Sequence, residues 1–313
     1  MDCKSILSAA LFVLVALSAG VAKEPAAPTK PAAKPAAEGA VLATVGNAKI
    51  TRNQIDGLLQ SAAPDVPPER RGALREGILA DQIVSELMHA YVVAQKVPCD
   101  ANDLAELKAR IAAAATKGNV TPAELMKKAG LTEERLKDRV RLRKLVKDTT
   151  GKKKLDAFIQ AHPSCFNGTK VQASHILITC KPAAATAEQK AAVNKLKKVA
   201  DDVQGGKLTF ADAAKQHSSC PSGKAKGGDL GEFDFTSMVP PFAMKAFSMK
   251  VGQTSGVVRT QFGFHLIRVT KRTDGKAKPR AGATRVAERA LIAVLQNKVF
   301  DQGLAACPIV IRK

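Results

Sequence analysis

Three side chains in the middle of this chain could do chemistry: His175, Cys220 and His265. Imidazole can hold or pass a proton near neutral pH, and a thiol can serve as a nucleophile, a metal ligand or a small polar group. His175 lies in VQASHILIT, residues 171–179, a segment of strand composition. Strand alternation places it on the face of Val171, Ala173 and Leu177. His265 lies in GFHLIRVTK, residues 263–271, and shares a face with Ile267 and Val269. Both rings are therefore expected to point inward. One inward histidine is usually a satisfied core residue, but two in neighbouring strands are less easily explained that way. Cys220 opens CPSGKAKGGDLGEF, residues 220–233. There dense glycine and proline mark a flexible basic loop that leads into a short apolar strand at 229–233. Three readings compete for this set. A metal site could draw on His175, Cys180, His217, Cys220 and His265, although their spacing matches no zinc pattern. A cysteine hydrolase would pair Cys220 with a histidine. The third possibility is no reaction at all, a free cysteine that merely packs.

The elements that must position these residues read in the order strand, helix, helix, strand, helix, strand, strand. That is an α+β domain of roughly 100 residues. Its helices are expected at 186–204, from Thr209 to about His217, and from Pro241 to Phe247, with strands at 171–179, 229–233, GVVRT and 263–271. A helical block precedes it. Ile83, Val84, Leu87, Met88, Tyr91 and Val92 recur at helical spacing within 69–97, and Pro98 stops that helix. Asp100 can cap the next helix, and TPAE at 121–124 is a capping box with proline at the first helical position. Thr132 can open another helix, and 152–161 forms one more before Pro163. Two short strands in VLATVGNAKIT, 41–51, begin the folded chain. A helix at 284–305 and the strand PIVIR close it. The closing pair has too little core to stand alone. It is expected to return to the helical part, with 308–312 beside 41–45. The α+β domain would then be an insertion in a mainly helical, discontinuous one.

The first 22 residues have the form of a secretory signal: Lys4, the apolar run ILSAALFVLVAL, and small residues in GVA for cleavage after Ala22. The run is short for a retained span of about 20 residues. Residues 23–40, nearly all Ala, Pro, Lys and Glu, read as a semi-extended tether. The chain carries 49 basic and 28 acidic residues, a net charge of +21. Basic residues gather at 135–154 and 268–289. An anionic membrane or cell-wall surface, or an acidic unfolded client, is a candidate partner on that ground. Nucleic acid is not expected, since the chain has no Trp and one Tyr for base stacking. Beyond the signal, Cys99, Cys165, Cys180, Cys220 and Cys307 form no CxxC pattern. An odd number leaves at least one thiol out of any intramolecular pairing.

SHILI, SSCPSGKAKGGDLGEF, MVPPFAMKAF, GQTSGVV and TQFGFHLI occur in this order and together resemble a parvulin-type peptidyl-prolyl cis–trans isomerase domain over residues 170–271. The resemblance implies a four-stranded antiparallel sheet with surrounding helices. It makes His175 and His265 the paired histidines of the site, and puts Cys220 at a position that is cysteine in some parvulins and aspartate in others. Met238, Phe242 and Phe262 fall where the proline pocket lies, with Leu230 and Thr260 alongside. No cofactor and no metal are implied. TCKPAA after the first strand offers only Lys181 where phosphate-requiring parvulins carry a basic cluster, so no phosphate requirement is expected. The flanks, 41–165 and 284–313, resemble exported foldases of the SurA and PrsA type, whose helical part holds unfolded clients. The implied function is an exported isomerase and folding chaperone for X–Pro bonds of unfolded or nascent exported polypeptides. The alternative is a client-holding chaperone with an inactive isomerase domain.

Overall fold

The computed structural model describes residues 39–276 and 278–312; the segment expected to be a signal, 1–22, and nearly all of the expected tether, 23–40, lie outside the described residues. In chain order the elements are β1 (Val41–Val45), β2 (Ala48–Thr51), α1 (Arg52–Ala62), α2 (Pro68–Ala94), α3 (Ala101–Lys117), α4 (Pro122–Lys128), α5 (Glu133–Thr149), α6 (Lys152–Ala161), β3 (Lys170–Thr179), α7 (Thr186–Gln204), α8 (Phe210–His217), α9 (Pro221–Ala225), β4 (Asp229–Asp234), α10 (Pro240–Ser248), β5 (Val258–Thr260), β6 (Gly263–Thr273), α11 (Ala283–Ala306) and β7 (Ile309–Ile311). Local chemistry sets many of the boundaries. Thr51 and Gln54 form a capping box on α1, and Thr121 and Glu124 form one on α4. The Asp100 carboxylate accepts from the backbone N–H groups of Asn102 and Asp103 and so opens α3. Thr132 accepts from Arg135 N at the start of α5. No helix among the described residues is long and apolar enough to cross a membrane.

The chain divides into two units. The first is discontinuous: among the described residues it takes in 39–89, Pro98–Val140 and 309–312. Its antiparallel sheet has the order β2-β1-β7. The closing strand lies against the opening one with Ala43 opposite Ile311 and Val45 opposite Ile309. Ala43, Val45, Ile50 and Ile309 are buried in this sheet, as are Ile55, Leu59, Ile83, Leu87, Leu136 and Val140 of the helices.

The second unit covers Ala90–Val97 and Arg141–Pro308. Its sheet, order β4-β3-β6-β5, is antiparallel throughout. Period-two alternation divides β3 and β6 between two cores. Val171, Ala173, Ile267 and Val269 join Phe233, Phe235, Phe242 and Phe247 on one side. Ile176, Phe264 and Leu266 join Leu196 and Val199 of α7 and Phe210 of α8 on the other. Each fully buried aliphatic side chain of this kind contributes about 1.5–3 kcal/mol.

Two details differ from the sequence reading. The flexible loop expected after Cys220 contains a short helix, α9. The helix expected to return with the closing strand groups instead with the second unit, where Ala287 and Ala290 enter the core that holds Phe242 and Leu155. Its small side chains face a phenylalanine-rich core. Only β7 returns to the first unit.

Candidate active site

The register of β3 and β6 sets His175 opposite Ile267 and Leu177 opposite His265. The two histidines are therefore diagonal neighbours on one face, close enough for long side chains to meet. Their Nδ1 atoms are 3.3 Å apart and their rings stack with centroids separated by 5.5 Å. Both are buried, at 6% and 4% exposure. On the far side of His265, Thr260 Oγ1 lies 2.8 Å from Nε2. That hydroxyl also accepts the N–H of Phe262 at 3.1 Å.

Proton counting gives this row a direction. If the Thr260 hydroxyl donates to His265 Nε2, His265 carries its proton on Nδ1 and donates it to His175 Nδ1. The His175 proton is then on Nε2, a buried atom with no hydrogen-bond partner. The reverse polarity would strand two groups, the Thr260 hydroxyl proton and the His175 Nε2 lone pair. Because each unmade buried bond costs about 1–3 kcal/mol, the first polarity is favoured.

Burial holds both histidines neutral. It lowers the pKa of His175, and it lowers that of His265 to about 3, with the neighbouring His175 adding to the effect. The folded value lies below the ordinary 6.5, so as pH falls the unfolded chain takes the proton first. The stability contribution is complete above pH 6.5 and is lost as pH falls from there toward 3. The urea midpoint of the second unit should therefore drop between about pH 7 and about pH 5, and the drop should be smaller in His265→Gln. Equal slopes in both proteins would contradict a buried neutral His265.

The apolar wall comes from α10. Phe242, 3% exposed, makes T-shaped contacts with both histidines, with centroids at 5.9 Å from His175 and 5.5 Å from His265. Met238 and Leu230 are half-buried against the same core. Met238 follows a tight turn held by Asp234, whose carboxylate accepts from the backbone of Thr236 and Ser237 at 2.9 and 3.0 Å. Hydrogen bonds led by the Thr236 hydroxyl hold that carboxyl below its usual range. Phe262 sits in the β5–β6 turn and is 51% exposed. Gly263 follows at φ +133, where a Cβ would lie 2.2 Å from the Ile178 carbonyl oxygen. Only glycine lets this turn close on β3 and carry Thr260 to His265.

Cys220 is half-buried at the entry to α9. It is tied to the sheet by a residue the sequence did not single out. Ser218, 1% exposed, accepts from the backbone N–H groups of Leu177 at 3.1 Å and Cys220 at 3.2 Å. Leu177 is the cross-strand partner of His265, so one hydroxyl fixes the Cys220 segment to the strand position opposite that ring. Two residues before Cys220 in a serine pair, it carried no pattern that distinguished it from a surface residue. Ser218→Ala should cost about 1–2 kcal/mol of stability and lower turnover severalfold. An unchanged urea midpoint and rate would remove the positioning role.

His175, His265, Thr260 and Phe242 are thus in direct contact. Leu230 and Met238 share their core, Phe262 joins through its backbone, and Cys220 joins through Ser218. The five residues considered for a metal form no converging cluster among the described residues; His89, Glu134 and Asp138 do. Cys99, Cys165, Cys180 and Cys307 are not in disulfides, and burial pushes the Cys165 thiol up to about 11.

The family model for the PPIC-type PPIase (rotamase) domain matches residues 175–271, which span the paired histidines, Cys220 and Phe242. The peptidyl-prolyl cis-trans isomerase Pin1 of Malus domestica is 39% identical over 116 residues, 33% of this chain and 95% of that protein. The putative peptidyl-prolyl cis-trans isomerase SurA of Haemophilus influenzae is 33% identical over 152 residues, 48% of each chain. Chaperone SurA of Shigella dysenteriae is 39% identical over 143 residues, 44% of this chain and 30% of that one. This chain therefore spans about half or less of the SurA proteins it matches. A solved PrsA from Bacillus anthracis shares 22% identity over 73% of this chain and 96% of its own, at a TM-score of 0.35. With nearly the whole of a small isomerase matched at this identity, the chain belongs to the parvulin family of PPIC-type peptidyl-prolyl cis–trans isomerases.

Proposed function

We propose that this protein is an exported folding factor, periplasmic or extracellular, whose second unit exchanges cis and trans X–Pro bonds in unfolded or newly exported polypeptides and whose first unit holds those clients. The observation that carries this reading is the uncharged, buried histidine pair in T-shaped contact with Phe242. Rotation about a peptide bond is resisted by amide resonance, with a barrier of about 20 kcal/mol. The two isomers at X–Pro differ by only about 1 kcal/mol, so both are populated and exchange slowly. A catalyst must therefore favour the twisted amide over either planar form. Phe242, Met238 and Leu230 would grip the proline ring, with Phe262 at the rim. Moving the preceding carbonyl out of water disfavours its charge-separated resonance form and so eases twisting. The neutral His175–His265–Thr260 row tunes hydrogen bonding beneath it without placing a charge there, and Cys220 acts as a polar neighbour. No covalent bond to Cys220 is needed. The amino-terminal signal and tether support export and cleavage after Ala22, and the excess of basic charge supports attraction to anionic surfaces.

The test is an isomerisation assay on an unphosphorylated X–Pro peptide and its phosphorylated counterpart, followed by exchange spectroscopy. The expected result is rapid exchange of the unphosphorylated peptide with no gain from phosphate. A folded protein that exchanges neither peptide yet suppresses aggregation of an unfolded client would leave the holding function alone.

A further inference from the structure

We infer that the helical unit carries a site for a divalent transition metal of the zinc class, built from His89 on α2 and from Glu134 and Asp138 on α5. Each residue offers one ligand atom, and the three atoms lie within 4.8 Å of one another. Donors in a tetrahedral shell with bonds of about 2.0–2.2 Å stand roughly 3–4 Å apart, so modest side-chain rotation closes the set. Glu134 and Asp138 are four residues apart, which puts both carboxylates on one face of α5. Asp138 is 4% exposed and lies 2.8 Å from His89 Nδ1. A buried carboxylate already aimed at an imidazole loses little freedom on binding. His89 is one-third exposed and Glu134 nearly half, which leaves a path for an ion.

Two neighbouring cations, Arg135 and Lys137, are compatible with this assignment. Arg135 lies 3.5 Å from Asp138, but its guanidinium is claimed elsewhere, by the Glu86 carboxylate and by the Ser85 carbonyl at 2.9 Å. It can therefore remain as an outer partner that orients the Asp138 carboxylate, the role such neighbours play around bound metals. Lys137 pairs with Glu134 at 3.1 Å, through side chains that are each more than a third exposed. An ion pair of this kind is weak, and a dication can displace it. One imidazole with two carboxylates suits zinc better than calcium or magnesium, which prefer all-oxygen shells. A bound ion would join α2 to α5 and add to the stability of the first unit by mass action.

Calorimetric titration of the full chain with zinc alone tests this, beside Glu134→Gln and His89→Gln. Glu134 is exposed enough that its variant keeps the fold even if the other does not. The expected result is one equivalent bound at micromolar affinity or tighter, weakened by about tenfold or more in each variant, and a zinc-dependent rise in melting temperature that Glu134→Gln abolishes. Cobalt(II) in place of zinc should give a spectrum without thiolate charge transfer, which separates this site from the cysteines. No binding below millimolar zinc, or binding unchanged in both variants, overturns the assignment and leaves an ion-pair network that fastens two helices.

Discussion

His265→Ala lowers kcat/KM for an unphosphorylated X–Pro peptide by about 100-fold or more, a loss of about 2.7 kcal/mol of transition-state stabilisation. The ring is the middle member of the polar row. Without it, Thr260 Oγ1 and His175 Nδ1 lose their shared partner, and Phe242 loses one of the two imidazoles it packs against. The cavity alone costs about 3 kcal/mol of stability, so circular dichroism and a melting curve must show a folded variant first. Thr260→Val separates the two effects. It keeps the volume, removes the hydroxyl beside His265 Nε2, and should lower kcat more than it raises KM. Phe242→Ala should behave in the opposite way, raising KM by loss of the proline-binding wall. Wild-type turnover in a folded His265→Ala protein would show that the histidine pair is only structural and would leave isomerisation to the rest of the pocket.

Gly228→Ala destabilises the second unit by about 2–4 kcal/mol and takes most of the activity with it. Gly228 has φ +90, and a Cβ there would stand 2.7 Å from the His175 carbonyl oxygen and 3.1 Å from Ala214 Cβ. Neither backbone can easily yield, because Gly228 O accepts the His175 N–H at 2.9 Å. Relief of the clash must therefore move His175 or break that bond. Gly231→Ala is the control. Its φ is +69 but nothing lies within 4 Å of the added Cβ. It should cost only the backbone strain, about 1 kcal/mol, with activity retained. Equal midpoints for the two variants would show that conformation alone, and not the close approach to His175, makes glycine necessary at 228.

The sequence was most informative where the signal is local or periodic. Asp100 and the Thr121 capping box mark helix starts because a side-chain oxygen and an orphan N–H are neighbours in the chain. The inward direction of His175 and His265 follows from strand alternation, and both are buried. The motif order carried the family and, with it, Thr260 and Phe242, which no spacing argument could have connected to the histidines. Other features depend on contacts that leave no periodic trace. Ser218 reaches the sheet across a fold-dependent distance. His89 meets Asp138, 49 residues later, only once two helices pack. The destination of α11 depended on which core had room for Ala287 and Ala290, a property of the assembled phenylalanines and not of the helix itself.

The antiparallel pairing of β7 with β1 has a consequence for synthesis. Val45 is among the first residues of the folded chain and Ile309 among the last. The three-stranded sheet of the helical unit cannot be completed until Ile309 has left the ribosome. The isomerase sheet lies wholly within the intervening segment and can form earlier. Closing so long a loop carries an entropic cost that a folded interior segment reduces by shortening the free chain. The order of emergence thus favours an isomerase sheet that forms first and a three-stranded sheet that closes only after Ile309 has joined Val45.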